Sequence, residues 1–185
     1  QFNYIMGDEL INVKYRDGRK NFKLYKGAEK IFYNINSIVG YNWCVITEGE
    51  MDALALHEAG IKNVISVPNG ATLNSNNLDY LDNCIDYFED KEKIILAVDA
   101  DEAGQALRYE FIRRLGAEVC YLVDFNGNKD ANDFLIEHGA EELRKIITTA
   151  TQVPLEGVST LRDLEADLLD FVHNGFKPGF QVGLE

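Results

Sequence analysis

The sequence predicts an α/β fold: a mostly parallel sheet with helices on both faces. Three observations carry this reading. Four short apolar runs, WCVIT (43–47), VISV (64–67), IILAV (94–98) and VCYLV (119–123), read as strands buried on both faces. The segments between them have helical apolar spacing. Gly60 and Gly116 stand where helices of such a pattern stop. Strand and helix in alternation imply parallel pairing with crossover helices.

Each element follows in order. Residues 10–25 read as a β-hairpin, with INVKYR and RKNFKLY flanking the two-residue turn Asp17-Gly18. That turn predicts Arg16 opposite Arg19, Lys14 opposite Asn21 and Asn12 opposite Lys23. It puts Ile11, Val13, Tyr15, Phe22 and Leu24 on one face and Lys14, Arg16, Arg19 and Lys23 on the other. Like charges directly opposite are destabilising without an anion between them, which favours a ligand-facing surface. Residues 50–59 form a helix with Met51, Leu54, Ala55 and Ala59 as its stripe. Leu78, Leu81, Ile85 and Phe88 mark a second helix, residues 103–115 a third, and residues 131–149 a fourth with a break near Gly139. TQVPLEGVST reads as a loop. Leu161, Leu164, Leu168, Phe171 and Val172 then give a last helix with Thr160 as N-cap, before a Gly- and Pro-rich tail. The expected division is a basic hairpin region over 1–40, an α/β domain over 41–150, and a linker helix and tail over 151–185.

Composition narrows the function. Of 185 residues 46% are hydrophobic, with 10 Phe and 9 Tyr, enough for a core. No apolar run approaches a membrane span and no signal-peptide pattern opens the chain. It opens on Gln1, as expected of a segment of a longer protein, and the reading is of a cytoplasmic protein of a bacterial or phage-infected cell rather than of the mitochondrial matrix. Cys44, Cys84 and Cys120 are scattered and odd in number, which predicts reduced buried thiols; with the scattered His57, His138 and His173 they form no zinc pattern. The net charge of −13 argues against broad nucleic-acid binding. It is unevenly spread: residues 14–30 carry seven basic and two acidic groups, a net +5, which leaves −18 elsewhere. The basic window is a local anion site or a solvated hairpin.

The chemistry sits at strand ends, where open α/β sheets build their sites. Glu48 closes the first strand of the sheet, Asp99 closes the third, and Asp101 lies two residues on, pointing the same way in an extended segment. Each alone reads as a helix-terminus residue. Together, crowded carboxylates repel unless a cation lies among them. Oxygen ligands of this kind suit Mg²⁺ or Mn²⁺ and phosphoryl transfer. Gly49 and Gly104 provide tight turns beside them.

EGEMDAL followed by DADEAG resembles the signature of the TOPRIM domain of primases, topoisomerases and some nucleases. VKYRDGRKNFK, KDANDFL and VPLEGVSTLRDL extend the similarity to phage-type, Twinkle-like bifunctional primase-helicases, from about Ile11 to the C-terminus. The resemblance implies a Rossmann-like TOPRIM domain with about four central parallel strands. It implies that Glu48, Asp99 and Asp101 bind metal and catalyse, with Glu48 also assisting deprotonation of the attacking 3′-hydroxyl. Asp130 is implied as a further acid near the metal. Lys14, Arg16, Lys20 and Lys23 are implied to contact nucleoside triphosphate or template, and Lys129 to reach a phosphate. The implied activity is RNA primer synthesis on a single-stranded DNA template from ribonucleoside triphosphates with Mg²⁺ or Mn²⁺. The implied partner is a ring-forming helicase domain of the same parent chain, with no membrane.

Other readings remain open. The chain has no GxxxxGK[ST] loop and so is not itself the helicase motor. It could be a non-catalytic TOPRIM module that binds single-stranded DNA and supports the helicase ring, or a TOPRIM nuclease. A topoisomerase needs a nucleophilic tyrosine on another domain. A haloacid-dehalogenase-type phosphatase carries its DxD on the first strand, not the third.

Overall fold

Four strands lie parallel, β4 (Trp43–Thr47), β5 (Val64–Ser66), β6 (Lys93–Ala97) and β7 (Cys120–Leu122), in a five-stranded sheet of order β5-β4-β6-β7-β8. The fifth strand, β8 (Thr151–Gln152), pairs antiparallel with β7 within the stretch expected to be loop. The structure, a computed structural model, describes residues 1–19, 21–71 and 78–155 together with 169, 172 and 173. The expected linker helix falls outside the described residues apart from isolated positions. Gln1–Val153 make one compact unit and Pro154–Glu185 a second. No helix among the described residues is long and apolar enough to cross a membrane.

The apolar runs are buried on both faces because alternate side chains enter two cores. Cys44, Ile46, Ile94 and Leu96 face one cluster, shared with Leu107 and Phe111 of α3 (Glu102–Leu115) and with Ile31, Phe32, Ile35 and Ile38 of the segment before the sheet. Val45, Ile95 and Ala97 face the other, shared with α1 (Glu50–Glu58) and α4 (Ala131–Thr148). All three cysteines are free and buried. α4 is broken at Gly139, whose φ of 84° leaves the helical region. The expected second helix is two short pieces, α2 (Asp79–Asp82) and a 3₁₀ turn, Ile85–Phe88. In α1 the expected stripe is rotated: Met51 and Leu54 are exposed, and Ala53 and Leu56 enter the core with Ala55 and Ala59. The rotation follows from Glu50 and Asp52, which this turn of helix points inward.

The N-terminal region is a three-stranded antiparallel sheet, β1 (Phe2–Met6), β2 (Glu9–Arg16) and β3 (Phe22–Leu24). β1 was not read from the sequence. The β2–β3 register also differs from the expected one. Arg16 pairs with Phe22, Tyr15 with Lys23 and Lys14 with Leu24, so five residues rather than two separate the last paired positions. Asp17 holds this connection by accepting from the backbone amides of Arg19 (2.8 Å) and Asn21 (2.9 Å) and from the Asn21 side chain (2.8 Å). This is the aspartate-centred turn chemistry that competes with a two-residue turn. The longer loop removes the Arg16–Arg19 juxtaposition and puts Phe22 and Leu24 on the same face as Lys14 and Arg16. The inward residues of β2 are the polar Asn12 and Lys14.

Candidate active site

The strand ends and the helices that follow them build one acidic cleft. Continuing the alternation of Ile95 and Ala97, Asp99 falls on the side of α1 and α4. There it meets Asp52, in the first turn of α1, and Asp130, the N-cap of α4. One carboxylate oxygen from each of the three lies within 4.8 Å of the others. Asp52 and Asp99 are buried, each 7% exposed. Both elements need these acids locally as well. Asp130 accepts from the amide of Asp133 at 2.8 Å, and Asp52 accepts from the amide of Asn132 at 3.1 Å, which ties α1 to α4.

Electrostatics records the crowding. Burial and the Asp130 charge push the Asp52 carboxyl up to about 7. Burial also raises Asp99, opposed by Lys129, whose Nζ lies 2.9 Å from Asp99 Oδ2. Burial raises Glu48, with Asp99 and Asp101 adding to the rise. Glu48 Oε1 accepts from the Ala71 amide at 2.9 Å, and its buried Oε2 has no partner among the described residues. Asp101 is exposed and caps α3, accepting from the Gly104 amide at 2.9 Å. Gly104 is not a turn residue: a Cβ there would lie 2.2 Å from the Asp99 carbonyl oxygen, so its role is to let α3 start against the Asp99 backbone.

A cleft of about 440 Å³ joins these acids to the N-terminal sheet, with Glu48, Asp52, Asp99, Lys129 and Asp130 on one side and Lys14 and Phe22 on the other. Lys14 is not free in it. Its ammonium lies 2.8 Å from Glu50 Oε1, and Tyr4 donates its hydroxyl to the same carboxylate. Arg16 lies over the Phe22 ring, 5.5 Å from its centroid. Lys23 is exposed, and Lys20 is outside the described residues. Asp52 is the site residue the sequence reading passed over. Its signal was indirect: it lies in the first turn of the helix that follows Glu48, on the side to which the alternation of Ile95 and Ala97 turns Asp99.

A family model described as Toprim-like matches residues 45–135. The chain carries a Toprim-like domain. Its sheet of mostly parallel strands flanked by helices is the Toprim, Rossmann-like fold, and the acidic cluster lies within the matched segment. Among relatives, the primase homolog protein of Arabidopsis thaliana is 37% identical over 84% of this chain and 51% of its own length. The chloroplastic/mitochondrial Twinkle homolog protein of the same plant is 34% identical over 88% of this chain and 25% of its own length. The primase fragment of the bacteriophage T7 primase-helicase protein superposes with a TM-score of 0.66 at 28% identity, covering 75% of this chain and 57% of that one. The chain thus spans between about a quarter and about half of the length of these two curated relatives. The Toprim-like domain with its N-terminal sheet is similar to primases and to Twinkle homologues over most of its residues.

Proposed function

We propose that this chain is the Toprim-containing catalytic region of a DNA primase, joining ribonucleotides on a single-stranded DNA template by metal-dependent nucleotidyl transfer. The observation that carries it is the convergence of Asp52, Asp99 and Asp130 in the cleft that faces the N-terminal sheet. The donor set fits a hard divalent cation such as Mg²⁺ or Mn²⁺: all donors are carboxylate oxygens, and burial with neighbouring negative charge raises Asp52 and Asp99 above the ordinary carboxylate range. Asp52, Asp99 and Asp130 would hold one ion; Asp99, Asp101 and Glu48 would flank a second. Bound cations of this kind neutralise phosphate charge and make a hydroxyl a better nucleophile.

The chain's own groups do the rest. The attacking 3′-oxygen forms a bond to the α-phosphorus of the incoming ribonucleotide, and the bond to pyrophosphate breaks. The Glu48 carboxylate, which lines the cleft, takes the 3′-hydroxyl proton. Lys129 moves from Asp99 to a phosphate oxygen once Asp99 is otherwise neutralised. Arg16 and Lys23, on the basic hairpin, bind triphosphate or template. Lys14 acts through Glu50, holding the N-terminal sheet against α1. The parent protein adds the helicase partner.

The test is primer synthesis by the parent protein on a single-stranded DNA template with ribonucleotides and Mg²⁺ or Mn²⁺. Glu48→Ala and Asp99→Ala should each abolish it. Undiminished synthesis would sink the assignment; template cleavage in place of synthesis would make the domain a nuclease.

A further inference from the structure

A second cavity, of about 300 Å³, lies behind the segment that carries Asp99. Val98 and Ala100 line it, whereas Asp99 between them lines the acidic cleft. One extended stretch thus walls both spaces, as alternating side chains allow. The remaining walls include Gln105 and Arg108 of α3, the stretch from Leu122 to Phe125, Asn128, and Thr151 of β8. The volume is at the lower end of small-molecule sites, and the walls mix apolar surface with a few polar groups, as such sites do.

Arg108 decides what the cavity can hold. The side chain is half-buried; its Nε is sealed from solvent and has no hydrogen-bond partner. The guanidinium makes no ion pair among the described residues. The Nε is closed to the cavity, so it is the terminal guanidinium nitrogens, outside the sealed set and with no hydrogen bond among the described residues, that can meet an acceptor there. Asp124 is near enough to act on Arg108 electrostatically, but its Oδ1 is engaged by the Asn126 amide at 2.8 Å. A bare phosphate would satisfy Arg108 and be repelled by Asp124. A flat, uncharged group with acceptors on one part of its edge and N–H donors on another suits both, and the Leu122 and Phe125 side chains offer it apolar surface.

That description is a nucleobase. Guanine fits best: its O6 and N7 form the acceptor pair that an arginine fork takes, and its N1–H and 2-amino group are donors for a carboxylate. We propose that the cavity between α3 and the 124–128 loop binds a guanine base, with Arg108 donating to its acceptor edge and Asp124 accepting from its donor edge. The base can belong to a free nucleotide or to a nucleic-acid strand. Either way it sits against the back of the Asp99 segment. The inference stands apart from the primase reading, because it needs no metal and no synthesis.

The experiment is ligand titration of the 185-residue chain by NMR in EDTA, with guanosine as the probe so that no phosphate can seek the acidic cleft. Guanosine should bind at least tenfold more tightly than adenosine or cytidine. Arg108→Met, which keeps the aliphatic stem, should weaken guanosine at least tenfold. Asp124→Asn should reduce the preference for guanosine over adenosine severalfold, and it keeps the proposal testable if the arginine variant does not fold. Guanosine monophosphate and the oligonucleotides d(TTTGTTT) and d(TTTTTTT) identify the source. Tighter binding of the mononucleotide assigns a free nucleotide, and tighter binding of the guanine-containing strand assigns a strand. Equal binding of all three nucleosides, or guanosine binding unchanged in a folded variant, would overturn the proposal.

Discussion

Asp52 accepts a hydrogen bond from the backbone amide of Asn132 at 3.1 Å, joining the first turns of two helices 80 residues apart in sequence. The bond puts Asp52 beside Asp130 and, with Asp99 from the strand end, completes the acidic cluster. The cluster therefore depends on α1 and α4 being docked side by side on one face of the sheet.

The ion-free protein should lose stability as pH rises. The folded-state pKa of Asp52, pushed up to about 7, lies above its ordinary value of 3.8. The folded state thus binds the proton more tightly than the unfolded one, so stability is greatest below about pH 4 for this group and declines up to about pH 7. Asp99 and Glu48 are shifted in the same direction. Thermal melts in EDTA should show a higher Tm at pH 5 than at pH 7.5, and Asp52→Asn should flatten that difference.

Divalent cation should reverse the trend. With Mg²⁺ or Mn²⁺ in excess, Tm at pH 7.5 should rise, because an ion that binds only the folded state stabilises it. Alanine at Asp52, Asp99 or Asp130 should weaken the ion by about tenfold or more, on the scale of losing one ligand or its support. Titration calorimetry checks this.

The buried Lys14–Glu50 pair predicts a non-additive pair of mutations. Lys14→Met leaves Glu50, 3% exposed, without its counter-ion and should cost about 3–5 kcal/mol in urea unfolding. Lys14→Met combined with Glu50→Gln should recover much of that loss, since no buried charge remains and Tyr4 keeps a partner.

Gly104→Ala should be far more damaging than a helical Gly→Ala exchange ordinarily is. The new Cβ meets the Asp99 backbone at 2.2 Å, so the Asp99 segment or α3 must move. A loss of about 1–3 kcal/mol by overpacking and a weaker metal site are expected, measured by unfolding and by calorimetry on the same variant.

The parallel sheet was legible because continuous apolar runs have few other uses in a chain of this length, and the strand-end acids followed from it. Asp52 was not, since a carboxylate in a first helical turn already has an explanation in the helix dipole. Only the alternation through Ile95 and Ala97, which turns Asp99 toward α1, singles it out. The hairpin register failed for a similar reason: Asp17-Gly18 fits a two-residue turn, but Asp17 with Asn21 closes a longer loop, and local sequence does not rank the two. Met51 and Leu54 misled because Glu50 and Asp52 take the inward positions, Glu50 with Lys14 as its partner.

The most direct measurement is the anomalous diffraction of crystals of this chain soaked in Mn²⁺. The account predicts a peak bounded by the carboxylates of Asp52, Asp99 and Asp130. Saturating Mn²⁺ with no peak there, or a peak only elsewhere on the chain, would contradict it.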